Sequence, residues 1–243
     1  MEHPKLVVKN LSKTFDKKVV FSSLSLYVNQ REFISIIGPS GCGKTTILNI
    51  IAGLEKETAG TVRINKIPGY MLQKPLLLPW ETILENVMLG LKLRHISEKK
   101  AKQEAYYMLK KFRLSDYADY YPYTLSGGMA QRVAILRTVL FNNEFLLMDE
   151  PFGALDSLTR LSMQMWLQNV WQTYKSSILL VTHDIREAIL LSDRIYVLSK
   201  NPATILKEVT ITLPRPRKRE LLQDKKAIAI EKTLEELLLN NQL

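Results

Sequence analysis

Cysteine is nearly absent from this sequence: Cys42 is the only one in 243 residues. A lone thiol excludes an internal disulfide and a cysteine zinc cluster, and it fits a reducing compartment. Long apolar runs are missing too. The longest candidates, Ser177–Val181 and Phe145–Met148, are core-strand length, far below the ~18–20 residues that span a bilayer. The opening residues Met1-Glu2-His3-Pro4-Lys5 are not followed by the apolar core of a signal peptide. Internal repeats and low-complexity segments are absent. What is present is ordinary globular composition, 46% hydrophobic and 24% charged, which argues against disorder. Lysine and arginine outnumber aspartate and glutamate 34 to 24, a net charge of +10. That balance allows an anionic partner: a nucleotide, a nucleic acid or an acidic membrane face.

Periodicity organises the chain. Leu6–Lys9, Val19–Val28 and Phe33–Ile37 read as strands, the last buried and followed by a glycine-rich turn. Lys44–Ala52 reads as a helix, and Thr61–Ile64 and Tyr70–Leu72 as short strands. From Glu81 to Asn142 the pattern is helical, with Ser97 as the expected cap of a helix running to about Arg113. Alternation then returns: strand 145–148, helix 157–173, strand 177–182, helix 184–191, and strands 193–198 and 204–211. Strands alternating with helices imply a parallel α/β sheet, interrupted here by an inserted helical block. After Pro214-Arg215-Pro216-Arg217 a last helix is expected over 218–239, with Ile230, Leu234, Leu237 and Leu238 on its buried face.

The strongest chemical signal is Gly38-Pro39-Ser40-Gly41-Cys42-Gly43-Lys44-Thr45, followed by Thr46. Glycine, four residues, then Gly-Lys-Thr between a buried strand and a helix is the phosphate-binding P-loop pattern. The glycines let backbone N–H groups converge on phosphate oxygens, and the helix N-terminus adds favourable potential. Ser40, Gly41, Gly43, Lys44, Thr45 and Thr46 are the expected phosphate ligands, with Thr45 also facing Mg²⁺. Cys42 occupies a variable place in the loop, close enough for its alkylation to block nucleotide and for ATP to slow alkylation. Phe145-Leu146-Leu147-Met148-Asp149-Glu150 is a second signal: a buried strand delivering two acids to its C-terminal edge, where open α/β sheets bind ligands. Asp149 is the candidate Mg²⁺ partner and Glu150 the candidate base that activates water.

The sequence Leu125-Ser126-Gly127-Gly128-Met129-Ala130-Gln131-Arg132 resembles the signature motif of ATP-binding cassette (ABC) ATPases. Ser126 can cap the helix that follows, and the two glycines allow close approach to an anion. The resemblance spans about Leu6 to Leu213 and implies further roles. Gln73 matches the glutamine that contacts the Mg²⁺/water site, Asp156 lies in the matching D-loop, His183 matches the switch histidine, and Phe15 matches the aromatic that stacks on adenine. His3 and His95 match nothing and read as ordinary surface or core residues. The implied fold is an α/β P-loop NTPase of the ABC type: a mainly parallel sheet core, an antiparallel β subdomain and an inserted α-helical subdomain. The expected divisions are 1–75 and 145–213 for the core, about 76–143 for the helical subdomain, and 214–243 for a C-terminal tail.

The resemblance also implies partners. These are a head-to-tail homodimer with ATP between the P-loop of one copy and Ser126-Gly127-Gly128 of the other, transmembrane permease subunits, and through them an extracytoplasmic solute-binding protein. The place of action would be the cytoplasmic face of the membrane. Leu77-Leu78-Pro79-Trp80-Glu81-Thr82 with Glu85-Asn86-Val87, and Pro151-Phe152-Gly153-Ala154-Leu155-Asp156, are similar to the nitrate/sulfonate/taurine importer group, which also includes transporters of thiamine precursors. Two departures stand out. Residues 61–73 are shorter than the family's hairpin and loop, which trims a peripheral sheet and could shift Gln73. Ala134-Ile135-Leu136-Arg137-Thr138 replaces Ala-Ile-Ala-Arg-Ala, with altered packing expected. Lys99, Lys100, Lys102, Lys110 and Lys111 fit a solvated helix face, and Arg215, Arg217, Lys218 and Arg219 fit a tail near an acidic membrane surface. No nucleic-acid-binding module is recognisable, so no nucleic-acid partner is expected. A soluble ABC ATPase acting on ribosomes or nucleic acid is the alternative reading.

Overall fold

The structure, a computed structural model, describes residues 4–200 and 202–240; His3 lies outside them. Two sheets carry the fold. β1 (Leu6–Phe15), β2 (Lys18–Val28) and β4 (Ala59–Ile64) make a three-stranded antiparallel sheet in the order β2-β1-β4. Leu6, Val8 and Leu11 of β1 and Leu24, Leu26 and Val28 of β2 turn inward, so this sheet has one buried face. β1 runs on past the expected Lys9 to Phe15, which sets Phe15 at the edge of the hairpin.

The larger sheet has the order β5 (Gly69–Met71), β6 (Phe145–Asp149), β7 (Ser177–Thr182), β3 (Phe33–Ile37), β8 (Arg194–Leu198), β9 (Ile205–Thr210). The first five are parallel. β6, β7, β3 and β8 are buried at every residue, as expected for strands covered on both faces. β9 departs from the parallel expectation. It runs antiparallel to β8, because the few residues joining them allow a hairpin and not a crossover.

α1 (Lys44–Ile51), α5 (Ser157–Tyr174) and α6 (Ile185–Leu191) connect the strands, and α2 (Ile83–Leu93), α3 (Glu98–Lys111) and α4 (Gly127–Phe141) form the helical block. α2 opens with a capping box: Glu85 N donates to Thr82 Oγ1, and Thr82 N donates to Glu85 Oε2 at 2.8 Å. α3 buries Ala101, Ala105, Met108 and Leu109 and turns its lysines to solvent, as the spacing predicts. Ser97 sits at its cap position, yet the side chain makes no capping bond. Val87, Leu91, Ala105, Val133 and Leu136 share one apolar cluster with Leu146, Met148 and Leu180 beneath the sheet.

The C-terminal region differs from expectation in two ways. The helix over 218–239 is broken into a 3-10 turn, Arg219–Gln223, and α7 (Lys225–Leu239). Asp224 causes the break by capping α7, accepting from Lys226 N at 2.8 Å. Leu234 is buried and Ile230, Leu237 and Leu238 pack beside it, as predicted. The second difference concerns charge. Arg217 is not a membrane-facing residue: it is 2% exposed, and its guanidinium donates to the carbonyls of Ile189 (3.0 Å), Ser192, Ile211 (3.2 Å) and Leu213 (3.2 Å). Burial pushes its pKa down to about 10. Arg215 is half-buried and bonded to Asp193 at 2.8 Å. Only Lys218 and Arg219 of the four are exposed. The guanidinium of Arg217 fits here because carbonyls at the end of α6 lack helical partners and attract a cation.

Candidate nucleotide site

Strand register assembles the site. β3 pairs with β7 so that Ile37 lies beside Thr182, and β6 pairs with β7 so that Asp149 lies beside Val181. The residues just past these pairs, Gly38, Glu150 and His183, therefore emerge together at one sheet edge. β5 is in register with β6, Met71 beside Met148, which carries Gln73 to the same edge. Gln73 reaches the cleft from the end of the short 61–73 segment.

A cleft of about 550 Å³ opens at this edge, lined by Phe15, Ser40, Gly41, Gly43, Lys44, Thr45, Thr46, Gln73 and Glu150 of the expected set. Lys18 and Val20, from the β1–β2 hairpin, line it as well. The sequence reading missed both. Their signal was the turn right after Phe15, which folds β2 back beside the phosphate loop. Gly43 adopts φ 98°, and a Cβ there would stand 2.6 Å from Val20 Cγ1, so glycine is required by conformation and by space. Lys44 is buried, its ammonium donating to Gly38 O at 2.8 Å and Pro39 O at 3.0 Å. Phe15 is 43% exposed, with Lys13 Nζ 4.4 Å from its ring centre.

Two carboxylates divide the floor. Asp149 accepts from Thr45 Oγ1 at 2.8 Å; burial raises its pKa, which the bond from Thr45 partly opposes. Glu150 is held from two sides, with Gln73 Nε2 at 3.4 Å and His183 Nδ1 at 3.2 Å from the same oxygen, Oε2. Its backbone is in the left-handed region, φ 42°, and its N–H donates to Val181 O at 2.9 Å. A non-glycine residue there is strained, and the strain turns the carboxylate toward the cleft.

Other expected residues lie elsewhere. Cys42 is 1% exposed, with its side chain in the apolar cluster behind the loop. Burial raises its thiol pKa. The expectation that alkylation of Cys42 would report nucleotide occupancy is corrected: a buried, protonated thiol is a poor nucleophile with or without ligand. Gly38 ends β3 under the loop and is outside the cleft lining. Asp156 caps α5, accepting from Leu158 N and Thr159 N, which holds its carboxyl below the usual range. Ser126 caps α4 through Met129 N at 3.4 Å, as predicted. Gly127 and Gly128 face Leu155 and Thr159, not the phosphate loop of the same chain. A Cβ on Gly128 would stand 2.6 Å from Thr159 Cγ2.

The profile of the family described as "ABC transporter" matches residues 21–153. The chain belongs to the ABC transporter family. It is 44% identical over 239 residues to an uncharacterized ABC transporter ATP-binding protein of Methanocaldococcus jannaschii, covering 92% of this chain and 90% of that one. It is 44% identical to an aliphatic sulfonates import ATP-binding protein of Agrobacterium fabrum, covering 86% and 76% of the two chains. The nitrate import ATP-binding protein of Synechocystis is 41% identical, covering 86% and 83%. A solved dimeric bacterial ABC transporter cassette is similar at TM-score 0.75 and 33% identity, over 86% of this chain and all of that one. A post-hydrolysis dimeric cassette bound to ADP and phosphate is similar at TM-score 0.75 and 32% identity.

This ABC ATPase has supports around its cleft that the motifs did not disclose. Arg137 donates to Pro75 O at 2.7 Å and Leu76 O at 2.9 Å, tying α4 to the segment after Gln73. Thr138, the departure from alanine, donates its hydroxyl to Ala134 O within α4 at 2.8 Å. Asn86 is buried and ties residues 78–82 to α2: its Oδ1 accepts from Leu78 N, and its Nδ2 donates to the carbonyls of Leu78, Glu81 and Thr82. Gln131 of the signature helix bonds to Pro151 O, right after Glu150. Among the described residues no helix is long and apolar enough to cross a membrane.

Proposed function

We propose that this chain hydrolyses ATP as the motor subunit of an importer, in a dimer of two copies bound to a separate permease. The observation that carries the reading is Glu150, fixed between Gln73 and His183 at the mouth of a cleft whose other wall is the phosphate loop. The loop and Lys44 bind the phosphates, and Phe15, Lys18 and Val20 receive the base and sugar. Glu150 takes a proton from water as the water oxygen bonds to the γ-phosphorus and the bond to the bridging oxygen breaks, leaving ADP and phosphate. His183 and Gln73 hold the carboxylate in place.

Thr45 and Asp149 suit Mg²⁺. They present hydroxyl and carboxylate oxygens 2.8 Å apart, and a hard cation favours oxygen ligands. Thr45 and Asp149 would hold the cation together with phosphate oxygens and water. The cation, when bound, neutralises charge on the phosphates and leaves Glu150 free as base.

Ser126, Gly127 and Gly128 are not among the residues lining the cleft of their own chain, which supports their service to the cleft of a second copy. Loss of the γ-phosphate would then remove the affinity that holds two copies closed. The permease would seat in an apolar groove of about 270 Å³ whose walls include Leu54, Ile67, Tyr70, Leu93, Arg137 and Phe141. Leu54, Ile67 and Leu93 are 61–71% exposed there. Arg137 belongs to both this groove and the tether below Gln73, so an occupant could be felt at the catalytic edge. The import relatives favour this partner over a ribosome or nucleic acid. A solute-binding protein would meet the permease on the far side, and the solute would be set by those two proteins.

Glu150→Gln tests the reading. It should bind ATP with Mg²⁺, accumulate as a dimer, lose about 10²–10⁴-fold in turnover, and recover a polytopic permease when pulled from gently solubilised cells with ATP present. Turnover like that of the parent protein would remove Glu150 as base. Recovery of ribosomes without any membrane protein would remove the transport role.

A further inference from the structure

Glu187 matches no motif and is outside the cleft, yet at 4% exposure it is the one buried glutamate among the described residues. It sits on the first turn of α6, four residues after His183. Its Oε2 accepts from Gln164 Nε2 of α5 at 3.1 Å, and the hydroxyl of Thr182, the last residue of β7, lies beside the carboxyl. Its Oε1 is buried with no partner. Thr182 Oγ1 in turn accepts from Asp184 N at 3.1 Å, and Asp184 Oδ1 accepts from Glu187 N at 3.0 Å. Bonds from Asp184 N to Thr182 and from Glu187 N to Asp184 thus brace the backbone around His183. The His183 side chain itself is 54% exposed, with Glu150 Oε2 at 3.2 Å from its Nδ1.

We propose that Glu187 is a positioning residue for ATP hydrolysis: held by Gln164 and seated beside Thr182, it fixes the turn that aims His183 at Glu150. This rests on the reading of His183 and Glu150 as the hydrolytic pair. Gln164 extends the link to α5, whose first turn is capped by Asp156.

The surroundings favour the neutral carboxyl. Burial pushes the pKa of Glu187 up to about 7, and the nearby Asp184 adds to the rise. A protonated Oε1 becomes a donor at the place where the ionised oxygen has no partner. The groups facing Glu187 are Asp184 and Arg186 on its own helix, Arg160 and Gln164 on α5, Thr182 on β7, and Arg219 on the 3-10 turn. Arg160 does not neutralise it directly; its Nη1 is 3.6 Å from Asp184 Oδ2 and its Nε is buried without a partner. A cavity of about 460 Å³ between α5, α6 and residues 219–223 gives Glu187 a route for proton exchange. Above neutral pH the ionised carboxylate should loosen the turn.

The test uses the whole chain and four variants: Glu187→Ala, Glu187→Gln, His183→Ala, and the double variant Glu187→Ala/His183→Ala. ATP affinity and kcat are measured from pH 6 to 9. Glu187→Ala should lose about tenfold in kcat, the effect of a misplaced catalytic group, with the Kd for ATP changed less than about twofold. The double variant should be no slower than His183→Ala, because Glu187 acts through His183. Glu187→Gln, whose amide N–H₂ can occupy the partnerless side, should restore most of kcat and abolish the fall of kcat above pH 7 expected of the parent protein. A kcat for Glu187→Ala within twofold of the parent would overturn the proposal. So would losses that multiply in the double variant, or a Glu187→Gln pH profile superimposable on the parent's. If Glu187→Ala fails to fold, the Glu187→Gln profile decides alone. Full turnover by His183→Ala would instead strike the reading of the hydrolytic pair, so the two failures are distinguishable.

Discussion

Glu150 occupies a left-handed backbone conformation, φ 42°, at the place where the proposed reaction needs its carboxylate. Two substitutions separate strain from side-chain contacts. Glu150→Ala and Glu150→Gly both remove the contacts to Gln73 and His183, so those losses cancel when the two variants are compared. Alanine keeps the Cβ that makes φ 42° unfavourable, a penalty of about 1–2 kcal/mol. Glycine relieves it and loses about 0.5–1 kcal/mol through its freer unfolded chain. Glu150→Gly should therefore be more stable than Glu150→Ala by about 1 kcal/mol. For a chain of this size that is about 2–4 °C in Tm. The measurement is thermal and denaturant unfolding of both variants without nucleotide, with turnover assayed beside it. Both should have lost hydrolysis. Equal stability, or a more stable alanine variant, would refute the claim that the backbone is strained to present this carboxylate.

Three further outcomes are expected. Arg217→Met keeps the stem and removes the donor to four carbonyls; at about 1 kcal/mol per bond, less the desolvation that the guanidinium no longer costs, the loss should be roughly 3 kcal/mol, about 6–12 °C in Tm. A shift under 2 °C would mean those carbonyls have other partners. Gly128→Ala should lose about 1–3 kcal/mol by overpacking against Thr159, and Gly128→Ala/Thr159→Ser should regain most of it in the same unfolding assay; no recovery would show that the methyl is not the obstacle. Glu187, raised from 4.5 to about 7 in the fold, favours the protonated native state. Its contribution should fall as pH rises from about 4.5 through 7 and level off above, a change of about 3 kcal/mol. Denaturant titrations of parent and Glu187→Gln should therefore diverge across that range, and parallel curves would contradict the shift.

The site residues that motifs made visible are those adjacent to backbone that binds or turns. The loop at 38–46, the acids at 149 and 150 and the capped helix after Ser126 need particular residue types in consecutive positions, so a linear pattern discloses them. Gln73, His183 and Phe15 were placed by order along the chain, and the register of β5, β6, β7 and β3 brings the first two to one edge. The sequence could not indicate that Cys42 turns inward, because glycines flank it on both sides and set no apolar period. Nor could it distinguish Arg217 from Arg215, Lys218 and Arg219. All four are basic residues in one run, and only the carbonyls of Ile189, Ser192, Ile211 and Leu213 select one for burial.

By itself the sequence determined the parallel core, the helical block and the phosphate-loop chemistry. Each follows from local rules: continuous apolar strands, helical spacing of small and apolar residues, and glycines that expose N–H groups. Tertiary structure alone decided which groups meet across distance. The placement of Lys18 and Val20 over the loop, the tie from Arg137 to the segment after Gln73 and the bond from Gln164 of α5 to Glu187 all depend on contacts between residues far apart in the chain. Such contacts leave no period and no spacing to read, because their energy resides in the meeting of two surfaces and not in either segment.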